Sequence, residues 1–323
     1  MARMIRVQGF GGPEVLKLEE VQLGEPGAGE VRVRQRAVGL NFIDVYQRMG
    51  TYPNPLPLTP GNEASGDVVS VGPDVTAFKP GDRVAYGTAL GAYAEERIVA
   101  ERHLVHLPDS ISYEVGAVMM LKGLTTQYLL RQTFRVGPEH TILVQAAAGG
   151  VGLLLCQWAK SLGATVIGTA GSDDKAALAR RHGADHVILY RTEDFAERVK
   201  DITDGGLCDV VYDGVGQATF PKSLDCLKPR GTFVSFGASS GPIAAFNIGL
   251  LQQKGSLYAT RPTLFTYAAK REDLLAMADD LMAAIAAGAV TPEVHARFPL
   301  GDAAEAHRAL EARETSGSTI LVP

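Results

Sequence analysis

The chain has 323 residues, which is enough for about two domains with buried cores. Its 31 Lys and Arg residues against 36 Asp and Glu residues give a net charge of −5 without a basic block, which argues against nucleic-acid binding. Cys156, Cys208 and Cys226 form no Cys-x-x-Cys pair, and the N-terminus has no apolar signal-peptide core. We therefore expect buried free thiols, no structural zinc, no membrane segment and a cytoplasmic location.

Residues 1–120 are rich in Gly, Pro and β-branched residues, and their short alternating runs are separated by turn signals. The runs at 30–34, 67–71 and 83–86 predict short strands. Strands of this length without intervening helices are typical of a partly open β-barrel.

A helix is predicted at 42–49, where the segment ends at Gly50. Its N-terminal face carries Asn41, Asp44 and Tyr46. These polar side chains make this helix the part of the barrel region in which we expect functional groups.

From residue 112 the pattern becomes helical, with an apolar segment at 117–130 that marks the crossing into the second domain. Strands then alternate with helices, which predicts a doubly wound parallel sheet. Strands are predicted at 141–145, 165–169, 186–190, 209–212, 232–236 and 256–260. Helices are predicted at 151–162, 173–182, 193–202 and 220–227. A long helix at 272–287, a helix at 302–313 and a strand at 318–322 follow, and we expect the last strand to return to the first domain.

The turn after the first of these strands has the spacing Ala147-x-Gly149-x-x-Gly152, one alanine short of the dinucleotide-binding Gly-x-Gly-x-x-Gly. Gly149 lets a pyrophosphate approach the backbone, and Gly152 lets the helix pack close to the strand. The N–H groups of Gly150 and Val151 then meet the phosphate at the positive helix end. The same spacing also fits an ordinary strand–helix turn of an α/β protein.

The end of the second strand of this sheet indicates which coenzyme is used. Residues 168–172 contain no Asp or Glu to hold a ribose 2′-hydroxyl group, as an NAD enzyme would have. Lys175 is placed to reach a 2′-phosphate, and Tyr190 at the end of the third strand adds a hydroxyl group. Asp173 and Asp174 add opposing negative charge, or else cap the helix. The pattern favours NADPH over NADH.

Several segments together resemble the medium-chain dehydrogenase/reductase superfamily and, within it, the quinone oxidoreductase (zeta-crystallin-like) branch. They are residues 11–16, 39–44, 60–66, 79–84, 121–126, 146–152 and 260–262. The resemblance implies a GroES-like catalytic domain at 1–122, completed by 262–323, and a Rossmann NADPH-binding domain at 123–261. The fold class is then α/β, with a partly open β-barrel and a doubly wound parallel sheet.

The metal content follows from the residues at three places. Zinc alcohol dehydrogenases, which share this fold, hold catalytic zinc with Cys and His side chains. The matching places carry Asn41 or Asp44, Asn62 and Lys122, and this is not a competent zinc-ligand set at neutral pH. We therefore expect no metal.

Without a metal, the hydride acceptor must be one that needs little help from a Lewis acid, such as a quinone or an α,β-unsaturated carbonyl. Asn41, Tyr46 and Tyr52 are predicted to line the acceptor, because amide and hydroxyl groups can donate to a developing oxyanion. Tyrosines near a helix end are also common packing residues. Arg261 is predicted to face the same cleft, or to pair with a carboxylate at the domain junction.

The resemblance implies that Ser172, Lys175, Tyr190 and Arg313 hold the 2′-phosphate. It also brings the loops after the fourth and fifth strands close to the nicotinamide. The predicted cofactor contacts are Asn41, Thr126, Tyr128, Gly149, Gly150, Val151, Gly152, Gly171, Ser172, Lys175, Tyr190, Gly214, Val215, Phe236, Gly237 and Arg313.

The predicted function is NADPH-dependent, zinc-independent reduction of a small-molecule quinone. Two alternatives stay open: an NADPH-dependent enone or alkenal reductase, and a crystallin-like NADPH-binding protein with an RNA-binding or structural role. The strand at 256–260 is an apolar sheet edge that must be paired or covered, and the loop at 239–249 is one possible cover. The resemblance implies that this edge pairs across a two-fold axis, and a homodimer is therefore expected.

Overall fold

A computed structural model describes residues 1–323 of the chain. The chain divides into two compact units. Unit 1 contains Met1–Leu124, Tyr267–Asp279 and Pro292–Pro323, and unit 2 contains Thr125–Thr266 and Asp280–Thr291. None of the helices combines the length and the hydropathy that a bilayer crossing requires.

Fifteen strands form three sheets. In chain order they are β1 Ala2–Arg6, β2 Lys17–Val21, β3 Glu30–Leu40, β4 Glu63–Val71, β5 Arg83–Tyr86, β6 Glu96–Ala100, β7 Val105–His106, β8 Thr141–Val144, β9 Thr165–Ala170, β10 His186–Leu189, β11 Cys208–Asp213, β12 Leu227–Ser235, β13 Tyr258–Thr260, β14 Val294–Pro299 and β15 Ser318–Val322. The α-helices are α1 Phe42–Met49, α2 Tyr113–Tyr128, α3 Gly150–Ser161, α4 Asp173–Arg181, α5 Phe195–Ile202, α6 Gly249–Gln253, α7 Leu264–Tyr267, α8 Arg271–Ala286 and α9 Ala303–Glu311.

Unit 1 is built on a seven-stranded sheet in which β14, β15, β3, β4, β5 and β7 follow one another and β6 pairs with β3. Side chains alternate across β3, so that Val31 and Val33 are fully buried in the core. The last strand, β15, pairs antiparallel with β3, and Ile320 lies opposite Gly39. This pairing confirms that the end of the chain returns to the first domain.

Unit 2 contains one six-stranded parallel sheet with the order β10-β9-β8-β11-β12-β13. This is the order of a Rossmann sheet, in which ligands bind at the carboxyl ends of the strands near the β8–β11 switch point. Ile142, Leu143 and Val144 of β8 are fully buried, as expected for a strand covered on both faces. The predicted doubly wound sheet is therefore confirmed.

Most element predictions are confirmed, one is wrong, and some strands were not predicted. The predicted helix at 42–49 is α1, and Gly50 ends it with a left-handed φ of 79°. The predicted helix at 220–227 is wrong: only a 3₁₀ turn at Lys222–Cys226 forms there, because Leu227 already pairs with Cys208 at the start of β12. Strand β14, which runs parallel to β15, was not predicted.

Candidate functional site

The turn between β8 and α3 has the form of an anion-binding turn. Gly149 is the N-cap residue of α3, and no side chain caps this helix end. A Cβ atom added to Gly152 would lie 2.4 Å from the Ala146 carbonyl oxygen and 2.7 Å from that of Ala147. Position 152 therefore has no room for a side chain, and the helix N-terminus stays open to an anion.

The alanine at the first motif position is accommodated by a glycine on the next strand. A Cβ atom added to Gly168 of β9 would lie 2.6 Å from the Ala147 Cβ atom. Ala146 has a left-handed φ of 55°, and its N–H group donates to Thr169 Oγ1 at 3.1 Å. Thr169 in turn donates to Gln145 Oε1 at 2.7 Å. Strand β9 thus holds the turn in place through both shape and hydrogen bonds.

The predicted 2′-phosphate residues of unit 2 meet at the carboxyl end of β9. Ser172 is the N-cap residue of α4, and its side chain accepts from the backbone N–H group of Lys175. A Cβ atom added to Gly171 would lie 2.6 Å from Tyr190 Oη and 3.5 Å from Arg191 Nε. Gly171, Ser172, Lys175 and Tyr190 therefore cluster, and Arg191 joins them.

Arg191 is a basic residue that the sequence analysis missed. Its side chain is exposed and makes no ion pair. The only sequence signal was its position directly after Tyr190. Asp173 and Asp174 lie in the first turn of α4, where the helix dipole stabilises carboxylates, whereas Ser172 is the residue that caps the helix.

The loop after β11 is held by a buried carboxylate. Asp213 Oδ1 accepts from the N–H groups of Val215 at 2.8 Å and Gly216 at 2.9 Å. Its Oδ2 accepts from the hydroxyl groups of Thr219 at 2.6 Å and Ser223 at 2.9 Å. Four donors thus fix the predicted cofactor contacts Gly214 and Val215, a positioning function for Asp213 that the sequence analysis did not identify.

The loop after β12 packs against the loop after β11. The Phe236 ring would lie 2.9 Å from a Cβ atom on Gly214, and a Cβ atom on Gly237 would lie 2.6 Å from the Gly214 carbonyl oxygen. Arg261 Nη1 donates to the carbonyl oxygens of Ser235 at 3.0 Å and Gly237 at 2.6 Å. Arg261 thus supports the loop that carries Phe236 and Gly237, and its predicted catalytic function stays a prediction.

Three other predicted contacts are located as follows. Thr126 and Tyr128 lie at the end of α2 and are 0% and 2% exposed. Arg313 follows α9 in unit 1 and has a left-handed φ of 60°. Their contacts with the cofactor stay predictions.

In unit 1, the predicted acceptor residues lie on and beside α1. Asn41 is the N-cap residue of α1, and its backbone N–H group donates to Asp44 Oδ2 at 2.9 Å. The rings of Tyr46 and Tyr52 meet edge to face with centroids 5.2 Å apart, and the Tyr52 N–H group donates to the Tyr46 carbonyl oxygen. Tyr52 is 40% exposed, so part of this aromatic pair faces solvent.

The places where related folds hold zinc are joined here by protein hydrogen bonds. Glu63 is completely buried and lies 3.2 Å from Lys122 Nζ, itself 5% exposed. Glu63 also accepts from Asn41 Nδ2 at 2.8 Å. Asn62 Nδ2 donates to Asp44 Oδ1 at 3.1 Å. The four predicted positions thus belong to one buried polar network.

This network continues away from α1 toward α9. Tyr93 Oη lies 3.0 Å from Asp44 Oδ2 and 3.0 Å from His307 Nε2. Arg48 Nη1 lies 3.1 Å from His307 Nδ1 and 2.8 Å from Glu311 Oε2. Burial raises the pKa of Asp44 to about 7, and burial together with Arg48 lowers the pKa of His307 to about 3. No sequence pattern pointed to this connection.

The three cysteines are buried and free, as predicted. Burial raises the pKa of the Cys156 and Cys208 thiols to about 12, and it raises that of Cys226 as well. Thiols of this kind stay protonated and serve as small apolar groups.

Comparison with known proteins adds three findings. Residues 27–109 match the alcohol dehydrogenase GroES-like domain family, and residues 150–277 match the zinc-binding dehydrogenase family. The quinone oxidoreductase of Pseudomonas aeruginosa is 57% identical over 100% of both chains, and the 2-haloacrylate reductase of a Burkholderia species is 44% identical over 97% of this chain and 96% of its own. The solved structure of Escherichia coli quinone oxidoreductase complexed with NADPH is 48% identical, covers 100% of both chains and has a TM-score of 0.98.

Proposed function

The chain belongs to the quinone oxidoreductase branch of the medium-chain dehydrogenase/reductase superfamily, and we propose that it reduces quinones with NADPH, by hydride transfer and without zinc. When bound, NADPH supplies the hydride that the quinone accepts. The remaining chemistry is performed by side chains of this chain, which bind the cofactor, orient the acceptor and stabilise its developing negative charge.

The observation that carries the proposal is the cluster of binding features at the carboxyl ends of β8, β9, β11 and β12. The open N-terminus of α3 suits a pyrophosphate, and the loops at 213–216 and 235–237 present backbone groups at the neighbouring strand ends. Arg191 provides a positive charge at the end of β9 beside the Tyr190 hydroxyl group, and Lys175 adds a second one from the first turn of α4. A ribose 2′-phosphate carries the negative charge that this cluster requires, which favours NADPH over NADH.

Zinc independence is supported by the chemistry of the groups in unit 1. Asn41 and Asn62 offer amides, and Lys122 offers an ammonium group that is engaged with Glu63. Zinc sites use thiolate, imidazole and carboxylate ligands, whereas these amides are not such ligands and the Glu63 carboxylate is already paired with the Lys122 ammonium group. The acceptor therefore depends on hydrogen-bond donors, for which we propose Asn41, Tyr46 and Tyr52.

The cofactor proposal is tested by fluorescence titration of the purified protein with NADPH and with NADH. The wild type should bind NADPH at least tenfold more tightly. Lys175→Ala and Arg191→Ala should each reduce this preference, whereas Lys200→Ala, an exposed lysine of α5, should leave it unchanged. Equal binding of the two coenzymes by the wild type would refute the assignment of this phosphate site.

An enone or alkenal reductase is the second candidate. It is favoured by the 44% identity to a protein named for reducing 2-haloacrylate, an α,β-unsaturated acid. Both activities share the cofactor residues and differ in the acceptor. Turnover numbers on a benzoquinone, a naphthoquinone and a small enone, measured with one enzyme preparation, distinguish them.

The oligomeric state and location are part of the proposal. Strand β13 is an edge of its sheet, with Tyr258 63% exposed and the nearby Ile248 76% exposed, and we propose that a second copy pairs with this edge to form a homodimer. Light scattering should give twice the chain mass, and Tyr258→Asp should shift it toward a monomer. The free buried thiols support a reducing, cytoplasmic location.

A further inference from the structure

The hydrogen bonds that link Arg48, His307, Tyr93 and Asp44 in unit 1 all run in one donor-to-acceptor direction. Arg48 Nη1 lies 3.1 Å from His307 Nδ1, and Arg48 Nη1 and Nη2 also donate to Glu311 at 2.8 and 2.9 Å. A guanidinium group can only donate, so His307 Nδ1 must accept. The hydrogen of the neutral imidazole is therefore on Nε2, and Arg48 sets the tautomer of His307.

The remaining links follow from this tautomer. His307 Nε2–H donates to Tyr93 Oη at 3.0 Å, so the Tyr93 hydroxyl hydrogen is directed at Asp44 Oδ2, also at 3.0 Å. The Asn41 N–H group donates to the same Oδ2 at 2.9 Å, and Asn62 Nδ2 donates to Oδ1 at 3.1 Å. Three donors thus converge on one carboxyl group that is completely buried.

These three donors favour an ionised Asp44. A proton on Oδ2 would oppose the donors from Asn41 and Tyr93. The Tyr93 hydroxyl group cannot turn its hydrogen away from Asp44, because its other partner, His307 Nε2–H, is itself a donor. Oδ1 accepts from Asn62 Nδ2, which also donates to Gln47 Oε1 at 3.0 Å, and a proton on Oδ1 would weaken the hydrogen bond from Asn62. Protonation of Asp44 therefore weakens the hydrogen bonds that it accepts from Asn41 and Asn62, the two amides at the places where zinc alcohol dehydrogenases hold zinc.

We propose that Arg48, His307, Tyr93 and Asp44 form a positioning chain that orients Asn41 and Asn62 for the acceptor, so that turnover requires the Asp44 carboxylate. This inference rests on the proposed function, because it concerns the acceptor side of that reaction. Asp44, Tyr93 and His307 are positioning residues, since they act through the two asparagines.

The charges around Asp44 determine when it loses its proton. The titratable and charged groups that surround its carboxyl group are Tyr93, His307, Arg48, Lys122 and Glu63. Burial raises the pKa of Asp44 to about 7, while Lys122 and the hydrogen bonds oppose that rise. Burial raises the pKa of Tyr93 well above its usual range, and that of His307 is lowered to about 3. Among Asp44, Tyr93 and His307, only Asp44 has a pKa near neutral pH.

The test is the pH profile of kcat for quinone reduction at saturating NADPH, together with the Asp44 titration followed by carboxyl ¹³C NMR. The wild type should lose activity tenfold per pH unit below the Asp44 midpoint. Tyr93→Phe should move the kcat midpoint and the NMR midpoint upward by about one pH unit, because one hydrogen bond to the charged group is lost. Asp44→Asn should remove the acidic limb and reduce kcat at pH 8 at least tenfold.

Tyr113→Phe is the matched control. The Tyr113 hydroxyl group also donates a hydrogen bond to an aspartate of unit 1, Asp67, which does not belong to the positioning chain. Both midpoints should therefore stay at the wild-type values. If Tyr93→Phe shifts the NMR midpoint of Asp44 but leaves the kcat midpoint unchanged, this inference is refuted while the proposed function stands. Absence of quinone turnover by the wild type at every pH would refute the proposed function, and this inference with it.

Discussion

Gly168→Ala should destabilise unit 2 through a single contact. The added Cβ atom would lie 2.6 Å from the Ala147 Cβ atom, while its next neighbours, Ala184 Cβ and the His186 carbonyl oxygen, lie at 3.8 and 3.9 Å. Carbon atoms pack at about 3.6 Å, so the two methyl groups would overlap by about 1 Å. Overpacking of this size costs about 2 kcal/mol, because strand and turn must move apart.

Removing the opposing methyl group isolates that contact. In the double variant Ala147→Gly/Gly168→Ala, the methyl group has only moved from the turn to the strand. Urea unfolding of the wild type, both single variants and the double variant gives a double-mutant cycle, for which we expect a coupling of about 1 to 2 kcal/mol. NADPH affinity should fall in Gly168→Ala and recover in the double variant. If Gly168→Ala is as stable as the wild type, or if the double variant shows no recovery, this explanation of the alanine in the motif is refuted.

Two further predictions concern unit 1. The unfolded chain protonates His307 below pH 6.5, whereas the folded chain does so only near pH 3, so this residue lowers stability as the pH falls. The stability difference between the wild type and His307→Gln in urea unfolding should therefore shrink by about 2 kcal/mol from pH 7 to pH 5, and a constant difference would contradict the buried neutral imidazole. Lys122→Met leaves the Glu63 charge buried without its cation and should cost about 3 kcal/mol, of which the added change Glu63→Gln should restore a part. Equal thermal unfolding of the single and double variants would show that the ion pair is not coupled.

Local patterns were enough to predict the elements whose ends have strong signals. Helix α1 ends at Gly50 because glycine readily adopts the left-handed conformation found there, and β15 has the predicted bounds because Gly317 and Pro323 enclose its run of β-branched and apolar residues. The region at 220–227 failed because pairing of Leu227 with β11 overrides its helical pattern. Strand β14 was missed although its residues from Val294 to Phe298 alternate between apolar and polar side chains, which is a strand pattern.

The candidate site also contains residues that the sequence predicts and residues that it does not. Gly171, Ser172, Lys175 and Tyr190 follow strand ends of one parallel sheet, so topology alone predicts that they meet. The chain from Arg48 to His307 could not be predicted, because the two residues are 259 positions apart and no local pattern marks either one. Long-range polar contacts of this kind depend on how distant elements pack, which periodicity does not encode.

The central claim is tested most directly by NADPH oxidation in the presence of a benzoquinone, using purified protein treated with a zinc chelator. The account predicts steady quinone-dependent oxidation of NADPH, unchanged by the chelator and at least tenfold faster than with NADH at the same low concentration. Loss of activity on chelation, restored by added zinc, would contradict a mechanism based on hydrogen-bond donors, and absence of NADPH oxidation with any quinone would contradict the proposed function itself.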